Sequence, residues 1–198
     1  NSGFQNLGTL TINRPSATVG CSLGSPLVIT SALNMTSGKF DVGNNPLTLG
    51  ATITSVVGAN ATNYIIADGE VSPLAAVRKI FSAAGNFTFP IGDRAASNDG
   101  SQYSPVSVVL PSGSFSSTSY VSATVYDIVH PDLNATTDYL TRYWNIGTNG
   151  ITGFTTFNAT ATYLGTPGTD IVGNEANYLV NRYDGTDWTT NGTGVNAV

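Results

Sequence analysis

Charge is what this chain has least of. Only 10% of its 198 residues are Asp, Glu, Lys or Arg, well under the ~25% of an ordinary soluble domain. Seven are Lys or Arg and the formal net charge is −5. No basic stripe exists to neutralise phosphates, which argues against nucleic acid as a partner. The same shortage removes polybasic attraction to anionic lipid. No apolar run approaches the ~18–20 residues that span a bilayer, so membrane insertion is not expected. Cys21 is the only cysteine, which excludes an internal disulfide and a disulfide-stapled scaffold without fixing the compartment. His130 is the only histidine, and one His with one Cys argues against zinc or iron, which need several such ligands. The opening Asn1-Ser2-Gly3 has no Met, charged n-region or apolar h-region, so a signal peptide is read as absent or already removed.

What remains is a polar, uncharged and β-favouring sequence. The hydrophobic fraction is 40%, too high for disorder, and solubility must come from Thr, Ser, Asn and Gly. In the first third, very short apolar alternations are broken by turn residues: Leu10-Thr11-Ile12, Leu27-Val28-Ile29, Leu33-Asn34-Met35, Lys39-Phe40-Asp41-Val42, Leu47-Thr48-Leu49 and Thr52-Ile53. Gly43-Asn44-Asn45-Pro46 is a strong turn signal between two of them. Strands this short and this regularly interrupted fit the rungs of a β-solenoid. From about Tyr64 the strands lengthen. Val121, Ala123, Val125 and Val129 share one face, as do Phe157, Ala159, Ala161 and Tyr163, while Leu140, Trp144 and Ile146 group together, as do Tyr178 and Val180. The expected architecture is all-β: a solenoid-like segment over residues 1–66, then an antiparallel, Ig-like β-sandwich over 67–198.

One stretch reads differently. In "SPLAAVRKIFSAAG", Ser72 suits an N-cap, Pro73 the first helical position and Gly85 a stop, while Leu74, Val77, Phe81 and Ala84 recur at helical spacing. By local pattern alone this is a helix of two to three turns.

Several stretches resemble chemistry. Gly20-Cys21-Ser22-Leu23-Gly24 matches the G-x-S-x-G nucleophile elbow, which needs a strand before Ser22 and a helix after it. Pro26 and the β-like Leu27-Val28-Ile29 follow instead, so a plain turn is the better reading. His130, in His130-Pro131-Asp132, would have to serve as base in any Ser-His-Asp arrangement. No catalytic residue is assigned. Most aspartates lie beside Gly, Asn or Pro, where Asp belongs as a turn former. Asp93, Asp99, Asp170 and Glu175 are candidates for a structural calcium, since turns supply hard oxygen ligands, but neither loop has the acid ladder of an EF-hand. Trp188 and Tyr183, beside the turn Asp184-Gly185-Thr186-Asp187, are candidate stacking surfaces for a glycan. Asn-x-Ser/Thr sequons occur at Asn34, Asn60, Asn86, Asn134, Asn158 and Asn191, which composition alone produces in a chain so rich in Asn and Thr.

An ordered set of segments, "VRKIFSAAGNFTFPIGD", "YSPVSVVL", "TVYDIVHPDL", "YLTRYWNIG", "ATATYL" and "DIVGNEANYLVNRYDGTDW", resembles repeat and β-sandwich modules of secreted and cell-surface proteins of Bacteroidota, adhesin-like and associated with type IX secretion. The upstream "TLTINRPS…LVITSALNMTSGKFDVGNNPLTLG" resembles the repeat-like segment before such modules. The resemblance implies an extracellular protein, unused sequons, a strand over 76–82 in place of the helix, and no shared catalytic residues. The sorting domain such proteins carry is not visible.

The functional expectation is therefore a non-enzymatic structural or adhesion protein of a bacterial surface. Its copies are expected to join end to end, because a solenoid has an open end and residues 4–12 and 189–198 read as extended segments able to add a strand to a neighbour's edge. The alternative is a carbohydrate-binding module of a larger secreted protein, contacting surface glycans through Trp188 and Tyr183.

Overall fold

In a computed structural model, which describes residues 5–14, 21–94, 102–163, 165 and 170–193, the protein is all-β and begins as a β-solenoid of about four turns. Each turn gives one strand to each of two parallel sheets. The first is β1 (Gln5–Asn13) with β2 (Cys21–Ser22), the second β3 (Leu27–Ser37) with β4 (Phe40–Asp41), and the third β5 (Leu47–Leu49) with β6 (Ile65–Ile66). The fourth is β7 (Val77–Ile80) with β9 (Ile91–Gly92), separated by β8 (Gly85–Phe89). Pairing is parallel along β1-β3-β5-β7 and along β2-β4-β6-β9. The sequence boundary expected at 66/67 falls between β6 and β7, and parallel pairing continues through it.

In register, like residues stack on like. Leu27, Leu47 and Val77 form one inward row, and Ile29 and Leu49 another that ends on Lys79. Phe40, Ile65 and Ile91 form the corresponding row of the second sheet. All are buried. A solenoid rung cannot cover its own apolar face, so its neighbours must.

The helix expected from local pattern over residues 72–85 is not formed: Val77–Ile80 is strand β7. Val77 and Lys79 face in while Arg78 and Ile80 are half-exposed, and both edges of the strand are paired, with β5 and with the antiparallel β11. Two complete ladders outweigh a helical preference of a few tenths of a kcal/mol per residue.

β10 (Val106–Leu110) lies between β8 and β14 in an antiparallel sheet of three. β11 (Tyr120–Tyr126) and β13 (Tyr143–Asn149) extend the first parallel sheet to six strands. Phe87, Phe89, Val106, Val108 and Leu110 share one buried cluster with Val77, Val121 and Ala123. The remaining strands are β12 (Tyr139–Leu140), β14 (Asn158–Ala161), β15 (Ile171–Val172), β16 (Leu179–Tyr183) and β17 (Trp188–Thr193).

The chain divides into two compact units. One comprises residues 1–126 with 144–161, and the other 127–143 with 162–198. The second is small: β12 pairs with β15, β16 with β17, and a 3-10 turn covers Glu175–Asn177. At its centre the buried Arg142 donates from Nε to Asp170 Oδ2 at 2.9 Å and from Nη2 to Asp127 Oδ1 at 2.8 Å. The Tyr178 hydroxyl accepts from the Val172 N–H at 3.0 Å and lies 2.8 Å from the Tyr139 carbonyl, tying β15 to β12.

Candidate functional site

Within the smaller unit, β16 and β17 form a hairpin whose turn is fixed by Asp184. Its carboxylate accepts from the N–H groups of Thr186 and Asp187, each at 3.0 Å, and these bonds hold it below the usual carboxylate range. The turn sets Tyr183 directly opposite Trp188, with ring centroids 5.0 Å apart. His130 stands edge-on to both, at 5.0 and 4.9 Å, and to Tyr143 at 4.7 Å. The segment carrying His130 is fastened to the hairpin. Trp188 Nε1–H donates to the Asp132 carbonyl at 2.9 Å, and the Asp132 N–H donates to His130 Nδ1 at 3.2 Å. Burial, then the charge of Asp132, pushes the Tyr183 phenol up, so Tyr183 is a neutral donor at ordinary pH.

A shallow depression of about 360 Å³ opens beside Trp188 and Tyr183, with Asp132, Asn134, Thr186 and Asp187 around it. Aromatic rings offer apolar contact to the C–H face of a sugar, while carboxylates and amides can bond its hydroxyls. The sequence brought Trp188 and Tyr183 to notice but missed His130 as the side chain that braces them. The only signal for that, His130-Pro131-Asp132, reads as a strand end, and its aromatic neighbours are distant in sequence.

The other candidate residues are placed as follows. The Asp93 carboxylate is buried in the larger unit and accepts from the Gln102 N–H at 2.7 Å. Asp99 lies outside the described residues. Asp170 is engaged by Arg142, and Glu175 accepts a hydrogen bond from the Tyr163 hydroxyl. Among the described residues no group of three or more His, Cys, Asp or Glu side chains gathers as a metal site. Ser22 ends β2, and the next regular element is strand β3 from Leu27, so the helix that a nucleophile elbow requires does not follow it.

At the start of the solenoid lies a second feature of functional interest. β1 and β2 each form an edge of their sheet. Leu7 stands first in the inward row above Ile29 and Leu49, and its side chain is 40% exposed where theirs are 0%. Cys21 stands first in the row above Phe40 and is also exposed. Among the described residues, then, the first turn presents both strand edges and part of its interior.

No protein-family model, curated protein or solved structure matches this chain, and the functional reading rests on geometry and composition.

Proposed function

We propose that this is a non-enzymatic structural and adhesion protein of a bacterial surface, whose first solenoid turn accepts a further β-rung from a neighbouring copy. The observation that carries this reading is the exposure of Leu7 above a row that is otherwise closed. An added rung would pair the backbone edge of β1 and cover that side chain, which is β-strand addition in its usual form. An extracellular setting is supported by the low charge and the Thr-, Asn- and Gly-rich surface. The Bacteroidota-like resemblance belongs to the same proposal. So does the Ig-like sandwich over 67–198, supported by the sheet β8-β10-β14, whose inward residues share a core with β7 and β11. Negative-stain microscopy and sedimentation of the purified chain test the assembly. Filaments that grow with concentration are expected, and Leu7→Lys should abolish them while leaving the circular dichroism unchanged. A wild-type chain that stays monomeric at millimolar concentration would sink the proposal.

A second reading, contact with a surface glycan, is favoured by the depression beside Trp188 and Tyr183. Binding on a glycan array that is lost in Trp188→Ala supports it. A flat array removes it.

A further inference from the structure

The six-stranded sheet that starts at β1 ends on its far side at β13, and residues 144–149 of that strand lie in the same compact unit as β1. The two end strands run in the same direction. β1, β3, β5 and β7 are parallel, and β11 is antiparallel to β7. Between β11 and β13, the Ser119 hydroxyl donates to Gly150 O at 2.6 Å and the Ser122 hydroxyl to Gly147 O at 3.4 Å. These contacts advance in opposite senses, so β13 reverses the direction again and lies parallel to β1.

Sheet edges are usually guarded by charge, by proline, by bulges or by brevity. The end strands of the other parallel sheet, β2 and β9, are two residues each. β1 has nine residues and β13 seven, and neither QNLGTLTIN nor YWNIGTN contains a charge or a proline. Where the register of β1 with β3 shifts, the extra residues are in β3, between Ile29 and Ala32 and between Met35 and Ser37. β1 itself carries no bulge. The apolar residues correspond as well. Leu10 and Ile12 on β1, like Trp144 and Ile146 on β13, are two apart and meet the core of the larger unit. Leu10, Trp144 and Ile146 are only half-buried, as expected of rows that stop at an edge.

We propose that β13 of one copy is the rung that β1 of the next copy accepts, so that their six-stranded sheets run on as one. The inference rests on the assembly proposed above and adds the identity of the donor edge. The joint is a parallel pairing like that of β1 with β3, with Leu10 beside Trp144 and Ile12 beside Ile146. A slip of one residue would turn one of the two apolar sets to the opposite face. Because the two edges differ, every copy offers one of each. Such a head-to-tail contact builds filaments instead of closed dimers.

The test pairs two variants of the full chain. Leu7→Lys blocks the β1 edge, and Thr148→Lys blocks the β13 edge at an exposed position. Each alone should sediment as a monomer where the wild type forms filaments. Mixed in equal amounts they should give a dimer and no filament, since one intact edge of each kind remains. A second arm, independent of those variants, uses Thr11→Cys and Asn145→Cys in a Cys21→Ser background. Thr11 and Asn145 are exposed and alternate with the apolar pairs, which places them side by side on the other face of the joint. A short bis-maleimide should link Thr11→Cys copies to Asn145→Cys copies and neither kind to itself. Circular dichroism checks that each variant is folded. Wild-type filaments without that cross-link, or folded Thr148→Lys that still forms filaments, would overturn the assignment of β13 and leave assembly through the first turn standing. Cross-links mainly between two Thr11→Cys copies would overturn it in favour of a β1-to-β1 joint. A wild-type chain that never assembles would remove both proposals.

Discussion

At Lys79 the inward row begun by Leu7, Ile29 and Leu49 ends on an ammonium. Its Nζ donates to the carbonyls of Gly50, Ala51 and Ile80 at 2.9, 3.0 and 2.7 Å, and lies 5.5 and 5.7 Å from the ring centroids of Phe81 and Phe87. Burial lowers its pKa from 10.5 to about 8. Between those two values the unfolded chain binds more protons than the folded one, so the unfolding free energy rises with pH. Below about 8 Lys79 is charged in both states and the full cost of burying it is present. Thermal melts should therefore show Tm climbing from pH 8 to 9.5, and Lys79→Met should flatten that rise. Above pH 10 the trend should reverse. Burial raises the phenols of Tyr163 and Tyr178, so the folded chain keeps protons that the unfolded chain releases. None of this was legible in "VRKIF", where a lysine between Arg78 and Ile80 looks like an ordinary surface residue. Gly92 makes a simpler case: a methyl there would overlap the Gln102 carbonyl and the Tyr64 ring. Gly92→Ala should cost about 1–3 kcal/mol, the usual range for overpacking, measured by urea titration.

At the scale of single elements, the short strands at residues 40–41 and 47–49 were legible because period-2 alternation and Gly/Asn/Pro punctuation are local signals, whereas Leu27-Val28-Ile29 and Leu33-Asn34-Met35, read as separate short strands, run together in the eleven-residue β3. Strand β7, implied over 76–82 by the resemblance, was not legible in the local pattern, since its partners β5 and β11 lie about thirty and forty residues away and only they decide between strand and helix. The same limit hid the clamp on Arg142. Asp127 and Asp170 sit beside turns in the sequence, and nothing local says that one buried guanidinium engages both. Removing Arg142 leaves two buried carboxylates without their cation, a change that typically costs about 3–5 kcal/mol. Hydrogen exchange on Arg142→Met should lose protection across 127–143 and 170–193, while β3, β5 and β7 keep theirs. Arg142→Lys should restore little, because an ammonium cannot reproduce the forked geometry that reaches both acids.

For the molecule as a whole, the scarcity of charge bears on the proposed assembly. A contact made from strand edges and Leu7 uses backbone hydrogen bonds and apolar area, and surface ion pairs add little even where they form. The critical concentration for assembly should therefore change less than about twofold between 50 and 500 mM salt, because screening acts on charges and not on backbone pairing. Lowering the pH towards the isoelectric point of about 4.4 should instead bring on disordered precipitation, as net charge vanishes and its repulsion with it. Light scattering beside electron microscopy separates the two. What the totals had shown of the candidate sites was mainly exclusion. The aromatic depression comes from the fold of the smaller unit, which brings residues 131–134 against the hairpin β16–β17, and not from the winding of the solenoid.

That winding makes the protein modular in length. The parallel strands of each storey pair only with those above and below, so a duplicate of residues 27–46 spliced in after residue 46 would lay its Leu27, Ile29 and Phe40 against the originals on one side and against Leu47, Leu49 and Ile65 on the other. A taller tower with the same floor plan should result, and its melting temperature should hold or rise.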